Sequence, residues 1–395
     1  MIEQGIENVR AEITLENWQT AKFLRWTFQN TADVLSTATI SRGNEPPSLF
    51  PAVATPLSGI AIPPIDYEQP FTVGDVIGST DTDGWAVAHN GTLLTEQYFG
   101  GMTTETSHLL MSVSKSIVGA VVGILNGAGL LDIDAPVCAY VPALASSGYA
   151  GATVRHLLDM RSGIAFSEDY LDPASEVRLI EQAIDWAPRS SPDVPRTMYD
   201  FLSTLQRKAD HGGPFEYRSC ETDVLGWICE AATGTRMPEL ISDTLWSRIG
   251  AESDAIIGID SAGTGMFDGG ISACLRDLIR FGSLYLNGGI AVTGKQVVPA
   301  AWISDTFAGG LDSRSAFALS PGDNRMPGGM YRNQCWFPYE GSEVLLCLGI
   351  HGQMIYVNRT AGIVAAKLSA WPLPQDASKL FPTIRAFDAI AAEFT

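Results

Sequence analysis

One helix limits what this chain can become. In the segment SVSKSIVGAVVGILNGAG, from Ser112, the residues Ile117, Val118, Val121, Val122, Ile124 and Leu125 cover too much of the circumference for a surface helix. Such a helix is buried. Gly119, Gly123 and Gly127 recur every fourth residue along one line, which predicts close packing against a neighbour that leaves no room for side chains. A buried central helix needs a large chain around it. This one has 395 residues, 46% of them apolar and 17% charged, against roughly 25% charged in ordinary soluble domains. That length accommodates two or three domains, or one enzyme of two interleaved lobes.

Charge excludes whole classes of partner. Lys plus Arg number 25 against 44 Asp plus Glu, a net −19, and no local run supplies the basic face that nucleic acid or an anionic membrane surface requires. The cysteines at 138, 220, 229, 274, 335 and 347 form no Cys-x-x-Cys pair and no cluster with histidines. Reduced, structural thiols and no metal site are expected. The first thirty residues alternate charge with apolar groups and lack the h-region of a secretory signal. No stretch reaches the about 18 uncharged apolar residues of a membrane helix. The expectation is a cytoplasmic protein.

Prolines at 46, 47, 51, 56, 63 and 64 predict an extended wrap over 42–70. Asn90-Gly91, between two β-rich runs, predicts a hairpin. Helical apolar spacing covers 153–158, 173–184, 197–205, 222–232 and 274–287, whereas 344–350, 354–358 and 362–371 are β-rich, with a turn at 358–362. Strands early and late with helices between them predict an α+β fold, an antiparallel sheet flanked by helices with an inserted, mostly helical lobe. The lobes would be 1–110 plus 290–395 (α/β) and 111–289 (helical), with the active site between them.

The sequence has no Gly-x-Ser-x-Gly elbow, His-Glu-x-x-His, Walker loop or dinucleotide fingerprint. It does have Ser112-Val113-Ser114-Lys115. Three residues make almost one helical turn, so the amine of Lys115 can reach the hydroxyl of Ser112. A serine needs a base before it becomes a nucleophile, and a helix N-terminus offers N–H groups where an oxyanion would form. Roughly one or two Ser-x-x-Lys matches are expected by chance in a chain of this length, so context decides. Lysine is costly to bury without a partner, and here it opens an otherwise apolar helix. Tyr217 and Ser219, in FEYRS before another apolar helix, add a phenol that can shuttle the nucleophile's proton. Gly349-Ile350-His351-Gly352-Gln353 ends one β-run with glycines that let a substrate approach the backbone.

These three segments, in this order, resemble the serine β-lactamase and penicillin-binding-protein superfamily, with its Ser-x-x-Lys, Tyr-x-Asn/Ser and Lys-Thr-Gly or histidine-variant motifs. TVRHLLDMRSGI from Thr153, GLLDIDAPVCAYVPAL from Gly129 and GGISACLRDLIRFG from Gly269 resemble further segments of that superfamily. HLLMSVSKS, EDYLDPASEV, TDVLGWI and GIHGQ resemble its linear-amide, nylon-oligomer hydrolase branch. The likeness runs from about Trp18 to Trp371.

The resemblance implies a β-lactamase-like fold and a serine hydrolase without metal or cofactor. Ser112 would be the nucleophile, Lys115 its proton partner and Tyr217 the general base and acid. The N–H groups of Ser112 and Ile350 would form the oxyanion hole. Tyr170, Glu181, Trp336 and His351 would contact substrate, with Tyr170 donating to the amide and Glu181 facing an ammonium end. The implied substrate is a small linear amide, with a short-chain ester as the alternative, and the likeness also suggests a homodimer. Ser219 replaces the second-motif asparagine, and His351-Gly352 replaces the lysine and threonine that bind a lactam's carboxylate. β-Lactamase action is therefore not expected. A catalytically silent binding module would have no need of Ser112, Lys115 and Tyr217 together.

Overall fold

The apolar segment after Ser112 is a fifteen-residue helix, α1 (Val113–Gly127), in the computed structural model, which describes residues 10–65, 70–320, 325–341 and 343–395. Its glycine line is where neighbours come closest. A Cβ at Gly119 would lie 2.7 Å from the Asn333 carbonyl oxygen, one at Gly123 2.5 Å from the Trp302 ring, and one at Gly127 2.4 Å from Pro299. The small residues thus set the packing distance, as the spacing predicts.

The strands are β1 (Thr37–Ile40), β2 (Ala61–Ile62), β3 (Phe71–Thr72), β4 (Thr82–His89), β5 (Thr92–Tyr98), β6 (His108–Leu109), β7 (Ala255–Gly258), β8 (Ile271–Ala273), β9 (Met330–Arg332), β10 (Cys335–Phe337), β11 (Val344–Gly349), β12 (Gln353–Asn358) and β13 (Ile363–Ser369). Seven of them form an antiparallel sheet in the order β5-β4-β13-β12-β11-β10-β9. Early and late parts of the chain meet at the β4–β13 pair. The β4–β5 hairpin turns at Asn90 and Gly91, both with positive φ, as that dipeptide requires.

Alternation places the two faces of this sheet in separate cores. Ala86, Ala88, Val364 and Ala366 face one core, and Trp85, Val87, Ile363 and Ala365 the other. Further helices used below are α2 (Glu176–Ala183), α3 (Cys220–Thr233), α4 (Leu275–Leu286) and α5 (Ala377–Ala392). α4 lies on the first face, close enough that a Cβ at Gly282 would sit 2.6 Å from Val364. α5 covers the other face together with the helix Val73–Ser79. The fold is thus α+β, with an antiparallel sheet flanked by helices.

Three features refine the sequence reading. The proline-rich segment seals a sheet edge: Val53 N–H donates to Leu93 O and Thr55 N–H to Leu94 O, both 2.9 Å, along edge strand β5. Residues 66–69 of the predicted wrap lie outside the described residues. A second antiparallel sheet, β1-β7-β8-β6, passes unrecognised in the sequence because its strands are two to four residues long. The helix expected from 173 starts at Glu176, since Pro173 and the turn in which Ala174 N–H donates to Asp172 Oδ1 (2.9 Å) occupy its first residues. No helix among the described residues is long and apolar enough to cross a membrane.

Candidate active site

The short strand β6 delivers the nucleophile candidate. Leu110 N–H donates to Ile271 O (2.8 Å), extending the β6–β8 pairing, and the chain then turns through Met111 in a left-handed conformation (φ 46°). A non-glycine residue in that region stores strain, which surrounding structure must hold. Ser112 follows as the N-cap of α1, 8% exposed. Ser114, the second residue of the helix, accepts from Ile271 N–H (3.1 Å) and pins the helix start to β8.

Lys115 is 1% exposed and fully engaged. Its Nζ donates to Ser112 Oγ (2.8 Å), Ser219 Oγ (3.0 Å), Asp268 O (2.8 Å) and Asp268 Oδ2 (3.1 Å). Burial pushes its pKa down, but the Asp268 carboxylate, with Tyr217, Glu168 and Asp223 behind it, outweighs that, and the group is held above the ordinary lysine value. Lys115 is therefore an ammonium, a hydrogen-bond donor to the serine. Behind Asp268 lies Asp223, which accepts from the N–H groups of Phe267 (3.0 Å) and Asp268 (3.1 Å). Burial and the facing Asp268 charge raise its pKa well above the usual carboxylate range.

Tyr217 comes in from the loop before α3. Lys115 Nζ sits 5.2 Å from its ring centroid. Burial raises its pKa above 10, partly offset by the Lys115 charge. Trp336, on β10, stacks on the Tyr217 ring (5.3 Å, 28°) and meets Phe215, Phe317 and Tyr331 edge-on. Phe317 belongs to a helix, Ser313–Ala318, within the 309–330 loop region, of which 321–324 lie outside the described residues.

The third motif supplies backbone. A Cβ at Gly349 would lie 2.5 Å from Leu110 O and 3.1 Å from Ser112 N, so the end of β11 abuts the Ser112 main chain with only glycine able to fit. This brings the Ile350 and Ser112 peptides together. His351 does not face open space. It is 2% exposed, has φ 60°, and donates from Nδ1 to Trp371 O (2.7 Å), leaving Nε2 without a hydrogen-bond partner among the described residues. Burial drives its pKa down to about 4, so the ring is neutral near pH 7. Its main chain is tied as well, N–H to Pro374 O (2.8 Å) and O to Trp371 N–H (3.1 Å). A side chain at 352 would meet the Trp371 ring at 2.2 Å, which accounts for glycine there.

Two substrate-contact candidates carry protein partners. Tyr170, expected to donate to a substrate amide, donates instead to Glu168 Oε2 (2.6 Å), while Glu168 Oε1 accepts from Ser219 N–H. Glu181, expected to face an ammonium, is held by Arg178 Nη1 at 2.9 and 2.8 Å and by Gln19 Nε2 at 3.2 Å. Both residues line a cavity of about 290 Å³, together with Trp18, Leu171 and Arg178.

Asp268, Asp223, Glu168 and Arg178 escape the sequence reading. An acid next to two glycines in MFDGGIS, and a second acid two residues before Tyr170, were the available signals. The contacts of Asp223 with Asp268, Glu168 with Ser219 and Asp268 with Lys115 span 45 to 153 residues of chain. Among the described residues, no group of three or more His, Cys, Asp or Glu is placed to hold a metal ion.

A model of the Beta-lactamase family matches residues 78–389. The chain is 38% identical to a 6-aminohexanoate-dimer hydrolase of Paenarthrobacter ureafaciens over 387 residues, 96% of this chain and 95% of the other. A Bacillus anthracis structure named as a candidate 6-aminohexanoate-dimer hydrolase superposes with TM-score 0.88 at 26% identity, covering 97% of each chain. A family VIII carboxylesterase shares the fold at TM-score 0.60 and 15% identity, over 82% of this chain and 96% of that one.

Proposed function

The chain belongs to the Beta-lactamase family and is a hydrolase, and from that premise we propose that it cleaves a small linear amide, of the 6-aminohexanoate-dimer type, through an acyl-enzyme at Ser112. The observation that carries this is the buried contact of Lys115 Nζ with Ser112 Oγ at 2.8 Å, beside the phenol of Tyr217. The site would lie between lobes 1–110 plus 290–395 and 111–289, an arrangement supported by Ser112, Lys115 and Tyr217 on one side and Ile350 and Trp336 on the other.

In this mechanism Ser112 Oγ forms a bond to the amide carbon and gives its proton to the Tyr217 phenolate. The carbonyl electron pair moves onto oxygen, which accepts from the N–H groups of Ser112 and Ile350. Collapse breaks the C–N bond as Tyr217 returns the proton to the leaving nitrogen. Water then attacks the ester and gives its proton to Tyr217, which passes it to Ser112 Oγ as the ester C–O bond breaks and the carboxylic acid leaves. The Lys115 ammonium, fixed by Asp268, stabilises the phenolate on each side of the cycle. Tyr170 O–H donates to Glu168, which leaves the phenol oxygen to accept from the substrate's N–H.

Ser112→Ala should abolish turnover of 6-aminohexanoate dimer and of p-nitrophenyl butyrate while the circular dichroism spectrum is preserved. Mass spectrometry of the intact enzyme should show a covalent adduct on Ser112 alone. Retained turnover in the variant would overturn the proposal. Short-chain carboxylesterase action with the same residues is the second reading. It is favoured by the pairing of Glu181 with Arg178, which engages both oxygens of the carboxylate expected to meet an ammonium.

A further inference from the structure

The turn that carries the Ile350 amide is held by one buried side chain. Between β11 and β12 the chain passes through His351 (φ 60°) and Gly352 (φ 92°), both left-handed. A non-glycine residue keeps that conformation only where the surrounding structure holds it. Gln353, the first residue of β12 and the register partner of Gly349, is 1% exposed and reaches back into the turn. Its Nε2 donates to Ser369 O (2.8 Å), His351 O (3.2 Å) and Ile350 O (3.4 Å), and its Oε1 accepts from Ser369 N–H (3.1 Å). Ser369 is the last residue of β13, so the amide ties the turn to the neighbouring strand. Reversing the amide would set its oxygen against three carbonyl oxygens, and the network therefore fixes which end donates.

These contacts constrain the Ile350 N–H from the far side of its residue. The peptide between Ile350 and His351 is fixed at both ends, its carbonyl by Gln353 Nε2 and its N–H by Pro374 O at 2.8 Å. On the near side Gly349 abuts Leu110 O and Ser112 N, and a Cβ there would also lie 3.0 Å from Gln353 Cβ. With both flanks fixed, the N–H between them has little freedom to swing. We propose that Gln353 is a positioning residue for the oxyanion hole: by holding the Ile350 and His351 carbonyls it directs the Ile350 N–H at the oxygen of the tetrahedral intermediate. This rests on the acyl-enzyme reading above. A donor of that kind works by being in place before charge develops, so a loosened turn loses rate even though the donor itself is still present. Methionine in place of Gln353 fills similar space and offers no N–H, which removes the anchor and keeps the packing.

The test separates binding of the intermediate from binding of the substrate. Gln353→Met should lower kcat for p-nitrophenyl butyrate by about tenfold to hundredfold with KM little changed. The probe of the intermediate is 1,1,1-trifluoroheptan-2-one. Ser112 Oγ adds to its carbonyl carbon, the serine proton passes to the Tyr217 phenolate and the carbonyl electron pair moves onto oxygen, giving a reversible hemiketal whose oxygen sits in the hole. Its Ki should rise by the factor lost in kcat, whereas in a Ser112→Ala background Gln353→Met should leave the calorimetric Kd of p-nitrophenyl butyrate unchanged. Gln353→Asn, with an amide one methylene short of these carbonyls, should show the same split. The proposal is overturned if kcat is unchanged in both variants, if the loss falls in KM, or if ketone and ester binding weaken equally, as a merely structural role would have it. Loss of the folded circular dichroism spectrum in both variants would also overturn it, since Gln353 would then hold the fold and not the turn. Failure of the hydrolase reading is a different result: the unaltered enzyme would neither turn over the ester nor form the hemiketal on Ser112.

Discussion

A phenol beside an ammonium is the resting state of Tyr217 and Lys115, since burial lifts the one above its ordinary pKa and Asp268 holds the other charged. The reactive phenolate is then a minority species at neutral pH. Its population grows tenfold per pH unit below the Tyr217 pKa, so kcat/KM should climb with a slope near one between about pH 7 and 9. Tyr217→Phe should cost about 10²–10⁴ in kcat/KM and remove that slope; a flat profile in the unaltered enzyme would contradict the assignment. At this scale the sequence was informative for Ser112 and Lys115, because a single helical turn joins them. It was silent on Asp268, the strongest electrostatic partner of Lys115, because nothing local links residues 153 positions apart.

Among the elements, α1 was the most legible, and its glycines give a sharp stability test. Gly123→Ala would force a Cβ to 2.5 Å from Trp302. Overpacking of this kind costs about 1–3 kcal/mol, so the variant should lose several degrees in Tm. Gly59→Ala, at a position where an added Cβ meets no atom of the described residues within 4 Å and the backbone is not left-handed, should be close to neutral in the same scan. The β4–β5 hairpin and the late strands were also readable from turn chemistry and alternation. The β1-β7-β8-β6 sheet was not, because strands of two to four residues carry too few alternations to show a period. Yet that sheet sets where Ser112 emerges, through the Leu110 and Ser114 contacts to Ile271.

For the whole molecule, stability should depend on a lysine that takes no part in the proposed chemistry. Lys367 on β13 is fully buried, donates to Thr80 O (3.2 Å) and to Ser369 Oγ, and is driven down to a pKa of about 7 by burial, only partly offset by Asp83 and Asp81. The unfolded chain, with an ordinary lysine value near about 10.4, binds more protons than the folded one between those two values. Stability therefore rises with pH across that window, and the cost of burying Lys367 is greatest below about pH 7. Lys367→Met should raise the urea midpoint most at pH 6, with a gain that shrinks towards pH 10. A pH-independent gain would show that the lysine does not titrate in the fold. By itself the sequence determined the α+β architecture, the buried central helix and the residue types at Ser112, Lys115 and Tyr217, since these follow from periodicity and from motifs a few residues long. Only the tertiary structure decided which charges face one another: Asp268 on Lys115, Glu168 on Tyr170 and Arg178 on Glu181. Arg178 and Glu181 are three residues apart, but whether such a pair is a solvated surface contact or a neutralised cavity wall depends on Trp18, Gln19 and Tyr170, which the fold brings in from elsewhere. Electrostatic energy depends on distance and burial, and for groups far apart along the chain neither exists until the chain has folded.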